Sequence, residues 1–137
     1  MGIIEWNENF LTGYFDIDNQ HKKIFKFLKN IYEYNKINPE SQEILQKIHS
    51  FLLFMEQHLE FEETLINKYN IKDGEEHKKE HTYFREKIKE ILKLYETSPY
   101  ALTFELCKFI NDFYSSHIVF YDKILVKEIK KKSMEEV

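Results

Sequence analysis

Residues 44–66 read ILQKIHSFLLFMEQHLEFEETLI, and this stretch decides the fold. Ile44, Ile48, Phe51, Met55, His58, Glu62 and Leu65 recur at steps of four and three. Such a repeat is the inward seam of an α-helix packed nearly parallel to its neighbours. Two residues on this seam do not suit an apolar core. They are His58 and Glu62, four apart and so on one face of the helix.

The same rule extends outward in both directions. Before it run Ile17, His21, Ile24, Leu28 and Ile31; after it run His77, His81, Phe84, Ile88, Ile91 and Tyr95. A fourth seam runs Leu102, Leu106, Phe109, Phe113, His117, Phe120 and Ile124. Helix breakers separate the four: Gly13, Pro39, Gly74 and Pro99. Asn38–Pro39 and Ser98–Pro99 each read as a capping residue followed by proline at the first helical position. Asp73–Gly74 reads as a turn. No period-2 apolar run supports a strand. The pattern predicts an all-α, up-down-up-down four-helix bundle. Its helices span about 17–36, 39–68, 75–96 and 99–131, with residues 1–15 as an aromatic arm packed on the bundle and 1–137 forming a single domain. The lysines at 127 and 130–132 read as a solvated helix end that suits the negative pole of the helix dipole.

Composition narrows the function. The 137 residues include 12 Phe, 9 Tyr and 1 Trp, side chains that disordered chains avoid. Twenty basic residues stand against 24 acidic ones, a net charge of −4. That balance offers nothing to neutralise a phosphate backbone, so no nucleic-acid partner is expected. No apolar run approaches the ~20 residues that cross a bilayer, so no membrane partner is expected. The N-terminus MGIIEWNENF shows no secretory pattern. The lone Cys107 excludes an internal disulfide and a multi-cysteine metal site, and it reads as a small packing residue. These features together place the chain in the cytoplasm as an expectation.

The anomaly lies in the seams. Of six histidines, five (His21, His58, His77, His81 and His117) fall on the four core lines, together with Glu62. Burying these groups without partners would cost several kcal/mol each. One core histidine is usually a satisfied structural residue. Five, with His58/Glu62 and His77/His81 each at i, i+4, are a ligand set for divalent metal. They are too many for one tetrahedral zinc and suit two ions sharing carboxylates. Asp122 is a candidate that periodicity alone does not choose. It lies five residues after His117, about 140° round an ideal helix. It shares an adjoining line with Ile118, Leu125 and Ile129, and a wide inward arc could bring both side chains to one site. His49 lies one residue off its seam, without a partner at metal spacing, and reads as a non-ligand.

With these residues in view, the chain resembles the hemerythrin family, in its single-domain bacterial form. The matching pieces are Trp6 with the aromatic arm, Asp16-Ile17-Asp18-Asn19-Gln20-His21, His58-Leu59-Glu60-Phe61-Glu62-Glu63, Glu76-His77-Lys78-Lys79-Glu80-His81 and His117-Ile118-Val119-Phe120-Tyr121-Asp122. They run from Trp6 to Leu125. Each piece is weak alone, whereas seven positions in order on four successive helices form a specific combination. The family also uses the His-x4-Asp spacing, which includes Asp122.

The resemblance implies a non-haem centre of two iron ions (Fe2+/Fe3+) with an oxo or hydroxo bridge. His77, His81 and His117 would hold one ion, His21 and His58 the other, and Glu62 and Asp122 would bridge them. It implies reversible binding of dioxygen at the two-histidine ion, for carriage, storage or sensing, by a monomer that is not an enzyme. A di-iron oxidase or peroxidase, or a protein that handles nitric oxide, is the alternative on the same scaffold. Ile24, Phe113 and Tyr114 would line the ligand pocket. At the last of these the chain departs from the family. Where the family often reads Trp-Leu-x-x-His, this chain reads Phe113-Tyr114-Ser115-Ser116-His117. The phenol could reach a bound ligand or narrow the pocket; the plainer reading is that its ring only packs.

Overall fold

A computed structural model describes residues 4–38, 42–96 and 98–135. The helices are α1 (Phe15–Ile37), α2 (Gln42–Tyr69), α3 (Gly74–Leu92), α4 (Pro99–His117) and α5 (Lys123–Glu135). Short 3-10 turns occur at Glu8–Phe10 and Lys93–Glu96. Helices α4 and α5 are one continuous rod joined through Ile118–Asp122, so the architecture is a four-helix bundle with no strand among the described residues. Helix α1 packs on α2 and α4, and α3 packs on α4 and α2. None of the described helices is long and apolar enough to cross a membrane.

Local chemistry sets the element ends. Ser98 caps α4, its hydroxyl accepting from the Ala101 N–H at 3.1 Å, with Pro99 in the first turn. The start assigned to Asn38–Pro39 lies outside the described residues, as does the side chain of Tyr95. Helix α1 begins two residues earlier than the seam indicates, because Phe15 enters the helix although its ring is 76% exposed. Asn70 closes α2 at φ 47°, in the left-handed region where asparagine is tolerated. Lys132 reaches across to donate to the Asn70 carbonyl at 2.6 Å. One tail lysine thus meets the C-terminal end of α2 rather than that of its own helix.

The arm is tied down by polar contacts. The buried Asp18 carboxylate accepts from the Thr12 N–H and hydroxyl, both at 2.8 Å, and from the Gly13 N–H at 3.1 Å. Gly13 takes φ 91°, which a side chain would resist. Phe10 is buried and stacks on Phe25 of α1, with ring centroids 5.3 Å apart.

The fourth seam is only half right. Phe120 and Ile124 are exposed, at 65% and 47%, instead of facing the core. The cause is the π turn Ile118–Asp122, where the Lys123 N–H donates to the Ile118 carbonyl five residues back. One additional residue in that turn rotates everything after it. Asp122, Leu125, Val126 and Ile129 therefore point inward in place of Phe120 and Ile124.

The core comes in two parts. The larger includes Ile24, Leu28, Met55, Leu59, Phe84, Leu106, Ile110 and Tyr114. The smaller gathers Ile17, Leu65, Ile66, Ile71, Leu125, Val126 and Ile129. Along α1, α2 and the α4–α5 rod, the polar seam residues fall between the two.

Candidate metal centre

Each helix contributes to one buried polar cluster. Helix α1 brings His21; α2 brings His58 and Glu62; α3 brings His77 and His81; α4 ends in His117, and the π turn ends in Asp122. All seven are at most 3% exposed. The i, i+4 pairs work as their spacing requires, stacking two ligating atoms on one face. The π turn does the same for the i, i+5 pair, because one widened turn brings positions 117 and 122 to one side. No wide inward arc is needed.

Two groups of potential ligand atoms result, each with its atoms within 4.8 Å of one another. One comprises His77, His81, His117 and Glu62, and the other His21, His58, Glu62 and Asp122. The carboxylates straddle them. Glu62 Oε1 lies 3.1 Å from His81 Nε2 and 3.3 Å from His77 Nε2, while Oε2 lies 3.1 Å from His58 Nε2. Asp122 Oδ1 lies 3.0 Å from His77 Nε2 and 3.1 Å from His117 Nε2, while Oδ2 lies 2.8 Å from His21 Nε2.

Several of these approaches are close without being aligned as hydrogen bonds. His21 Nε2, His58 Nε2, Glu62 Oε2 and both Asp122 oxygens lack a hydrogen-bond partner. His117 Nε2 sits 3.2 Å from His77 Nε2 and 3.3 Å from His81 Nε2, a convergence that leaves lone pairs facing one another unless a cation or proton intervenes. Buried, convergent and unsatisfied donor atoms are what a metal ion completes. Nitrogen and oxygen donors without a thiolate suit iron, zinc, manganese or copper.

The electrostatics show the same demand for positive charge. Burial would lower the pKa of His21, yet Asp122 and Glu62 outweigh it and hold it at about 9. The same balance holds His77 at about 10 and His117 at about 9. Burial dominates at His58 and lowers it. Burial also opposes ionisation of Glu62 and Asp122, but the surrounding imidazoles keep both well below the usual carboxylate range.

Beyond these seven stand residues to which sequence reading assigned no role. The His81 Nδ1–H donates to Glu63 Oε2 at 2.8 Å. Arg85 then donates to both Glu63 oxygens, at 2.8 and 3.1 Å, and to Glu56. Glu63 is held at about 2 by His81 and Arg85 against the opposing effect of burial. The His58 Nδ1–H donates to Gln20 Oε1 at 2.6 Å. Such outer partners orient a ligating imidazole. One signal was available: Arg85 is the only arginine of the chain, and a planar fork suits a carboxylate pair better than lysine does.

The remaining candidates divide. Ile24 is wholly buried in the larger apolar cluster. Phe113 stacks on His117, at 5.0 Å and 19°, and so lies on the three-histidine side. Tyr114 touches the rings of His21 (6.1 Å), His58 (5.8 Å) and His117 (5.7 Å). It is 0% exposed, and its hydroxyl has no hydrogen-bond partner. Burial, and then Glu62 and Asp122, push its pKa well above the usual value, so it stays a protonated donor. His49 is exposed and belongs to neither group. Cys107 is buried, its thiol pushed up to about 12 by burial.

Comparison with known proteins agrees with this architecture. A myohemerythrin from Theromyzon tessulatum is 31% identical over 85 residues, 62% of this chain and 65% of that protein. A bacteriohemerythrin from Pseudomonas aeruginosa is 29% identical over 90 residues, 66% of this chain and 58% of its own length. The matched stretches thus span under two thirds of these relatives. No solved structure matches. The hemerythrin HHE cation binding domain matches residues 12–129, nearly the whole bundle and every residue of the buried cluster. The chain therefore belongs to the hemerythrin family.

Proposed function

We propose that this protein binds dioxygen reversibly at a centre of two iron ions held by His21, His58, Glu62, His77, His81, His117 and Asp122. The observation that carries the reading is the placement of the two carboxylates, each with one oxygen toward either histidine group. A carboxylate so placed serves two ions at once. Two divalent ions bring four positive charges against two carboxylates, and the remainder suits an added solvent-derived anion. The kinship with proteins named hemerythrins supports iron as the metal and dioxygen as the ligand.

When bound, two ferrous ions supply the two electrons that dioxygen needs to be held as a reduced species. The rest is done by the chain. Three imidazoles would hold the ion on one side of the cluster and two the ion on the other, which would leave that side a ligand short. Ile24 and Tyr114 wall the pocket on the side that is a ligand short, and Phe113 covers His117 on the other side. The apolar clusters above and below keep water and protons away from whatever occupies the pocket. Exclusion of water favours retention of the ligand over its release as hydrogen peroxide.

The test is a cycle. Protein loaded with iron and reduced should hold close to two iron ions per chain and give a visible band on exposure to oxygen that disappears on degassing, over repeated rounds. Stoichiometric hydrogen peroxide on first exposure, with no recoverable band, would replace this reading with an oxidase. One tetrahedral zinc per chain would remove the two-ion centre altogether.

A further inference from the structure

The hydroxyl of Tyr114 is the least explained polar atom of the core. It is fully enclosed and has no acceptor. Leaving a buried hydroxyl unpaired costs on the order of 1–3 kcal/mol, a penalty that phenylalanine at the same place would avoid. Its ring is sandwiched by no other tyrosine. Its neighbours are Phe84 at 5.8 Å, Phe113 at 5.5 Å and the imidazoles of His21, His58 and His117. The carboxylates of Glu62 and Asp122 act on it electrostatically but do not accept its proton in a hydrogen bond. No group among the described residues is therefore its partner, which leaves that place to a molecule from outside the chain.

Two facts locate and size that partner. The side of the cluster formed by His21 and His58 has one imidazole fewer than the other, so on the two-ion reading it is the side that would accept a ligand, and both rings neighbour Tyr114. The surroundings are closed, with Ile24 at 0%, Leu59 at 1% and Phe84 at 2% exposure. So closed a setting favours a ligand of a few atoms over a larger one.

We infer that Tyr114 is a specificity-determining hydrogen-bond donor for the outer atom of a small ligand on the His21/His58 side, so that the site selects polyatomic ligands with a lone pair on that outer atom over monatomic anions. The inference rests on the two-ion reading above. A ligand held on that side by its first atom would have a second or third atom to offer as acceptor, and the Tyr114 hydroxyl is a buried donor without a partner among the described residues. A monatomic anion has no such atom and gains nothing from the hydroxyl. A hydrogen bond to an anionic acceptor is the stronger kind, so the discrimination is large enough to measure.

The test compares the wild-type protein with Tyr114→Phe, both loaded with iron and oxidised, and titrates each with azide and with chloride. The substitution should weaken azide roughly tenfold, as loss of one hydrogen bond to a charged acceptor implies, and leave chloride within about twofold. A vibration of bound azide should shift between H2O and D2O in the wild type and stay fixed in the variant. The metal-free chains give an independent readout, since Tyr114→Phe removes only an unpaired hydroxyl and its melting temperature should match or exceed that of the wild type. Equal azide affinity with two irons bound in both proteins would overturn this inference alone. A clear fall in the metal-free melting temperature would also overturn it, because the hydroxyl would then have a structural partner. Failure of both proteins to hold iron would overturn the two-ion reading, and this inference with it.

Discussion

The three-histidine and two-histidine ends of the buried cluster share Glu62 and Asp122, yet they are braced differently. At one end His81 leans on Glu63, which is gripped by Arg85, which in turn grips Glu56. Phe113 and Tyr121 stack on His117 from outside, with centroids at 5.0 and 5.4 Å. At the other end His58 leans on the neutral amide of Gln20 and Tyr114 presents an unused hydroxyl, while one Nδ1 at each end, that of His21 and that of His117, lacks a partner among the described residues. The contrast teaches a division of labour. The charged, stacked end holds its imidazoles in place, and the end with fewer imidazoles is the one where the proposed centre would take up a ligand.

The sharpest way to break the comparison is to remove what the ends share. Glu62→Ala should lose both ions, whereas His58→Ala should lose the ion of its own end and retain close to one per chain. Metal analysis after exhaustive dialysis reads the difference. Equal loss in both variants would mean that the ends are not separable.

Next in size is the bracing. Glu63→Gln keeps the shape of the side chain but removes the charge that orients His81. Metal affinity at the three-histidine end should fall roughly 10- to 100-fold, while the two-histidine end is spared. Competition with a chelator, resolved into two phases, would show whether the weakening is confined to one end.

The smallest expected effect is on the pH dependence of the metal-free chain. His21, His77 and His117 are held at about 9, 10 and 9, above the ordinary 6.5. A raised histidine adds stability that is complete below pH 6.5 and disappears as pH rises through its folded value. The melting temperature of the metal-free chain should therefore decline between about pH 6.5 and 10. Because protons and metal compete for the same imidazoles, the stabilisation that added metal brings should grow over that range. A flat metal-free profile would contradict the charge balance described for the cluster.

Much of this was legible in the sequence because helices repeat. The steps of four and three locate the seams, and His58/Glu62 and His77/His81 stand out as polar pairs on apolar lines. Ser98–Pro99 marks a helix start because its capping chemistry is local. What was not legible depends on deviation from the repeat or on contacts across the fold. Phe120 and Ile124 fit the ideal pitch and are exposed, because nothing in the seam signals a π turn. Glu63 and Arg85 lie on different helices, so their pairing has no spacing to betray it. The orphaned hydroxyl of Tyr114 is a property of its surroundings, where sequence left open whether the side chain meets a ligand, narrows the pocket or only packs.

The π turn also has a consequence that is best put in genetic terms. The rod formed by α4 and α5 carries one residue more than a plain helix needs to present the same inward face. Loss of a single codon between positions 118 and 121 would let that turn close into an ordinary helix, with the histidine and the aspartate still on one side, four apart. Loss of a single codon a few turns earlier, among 105–112, would swing both away together, although no liganding residue had been altered. The site is thus more vulnerable to a change of length at a distance than to the same change in its midst.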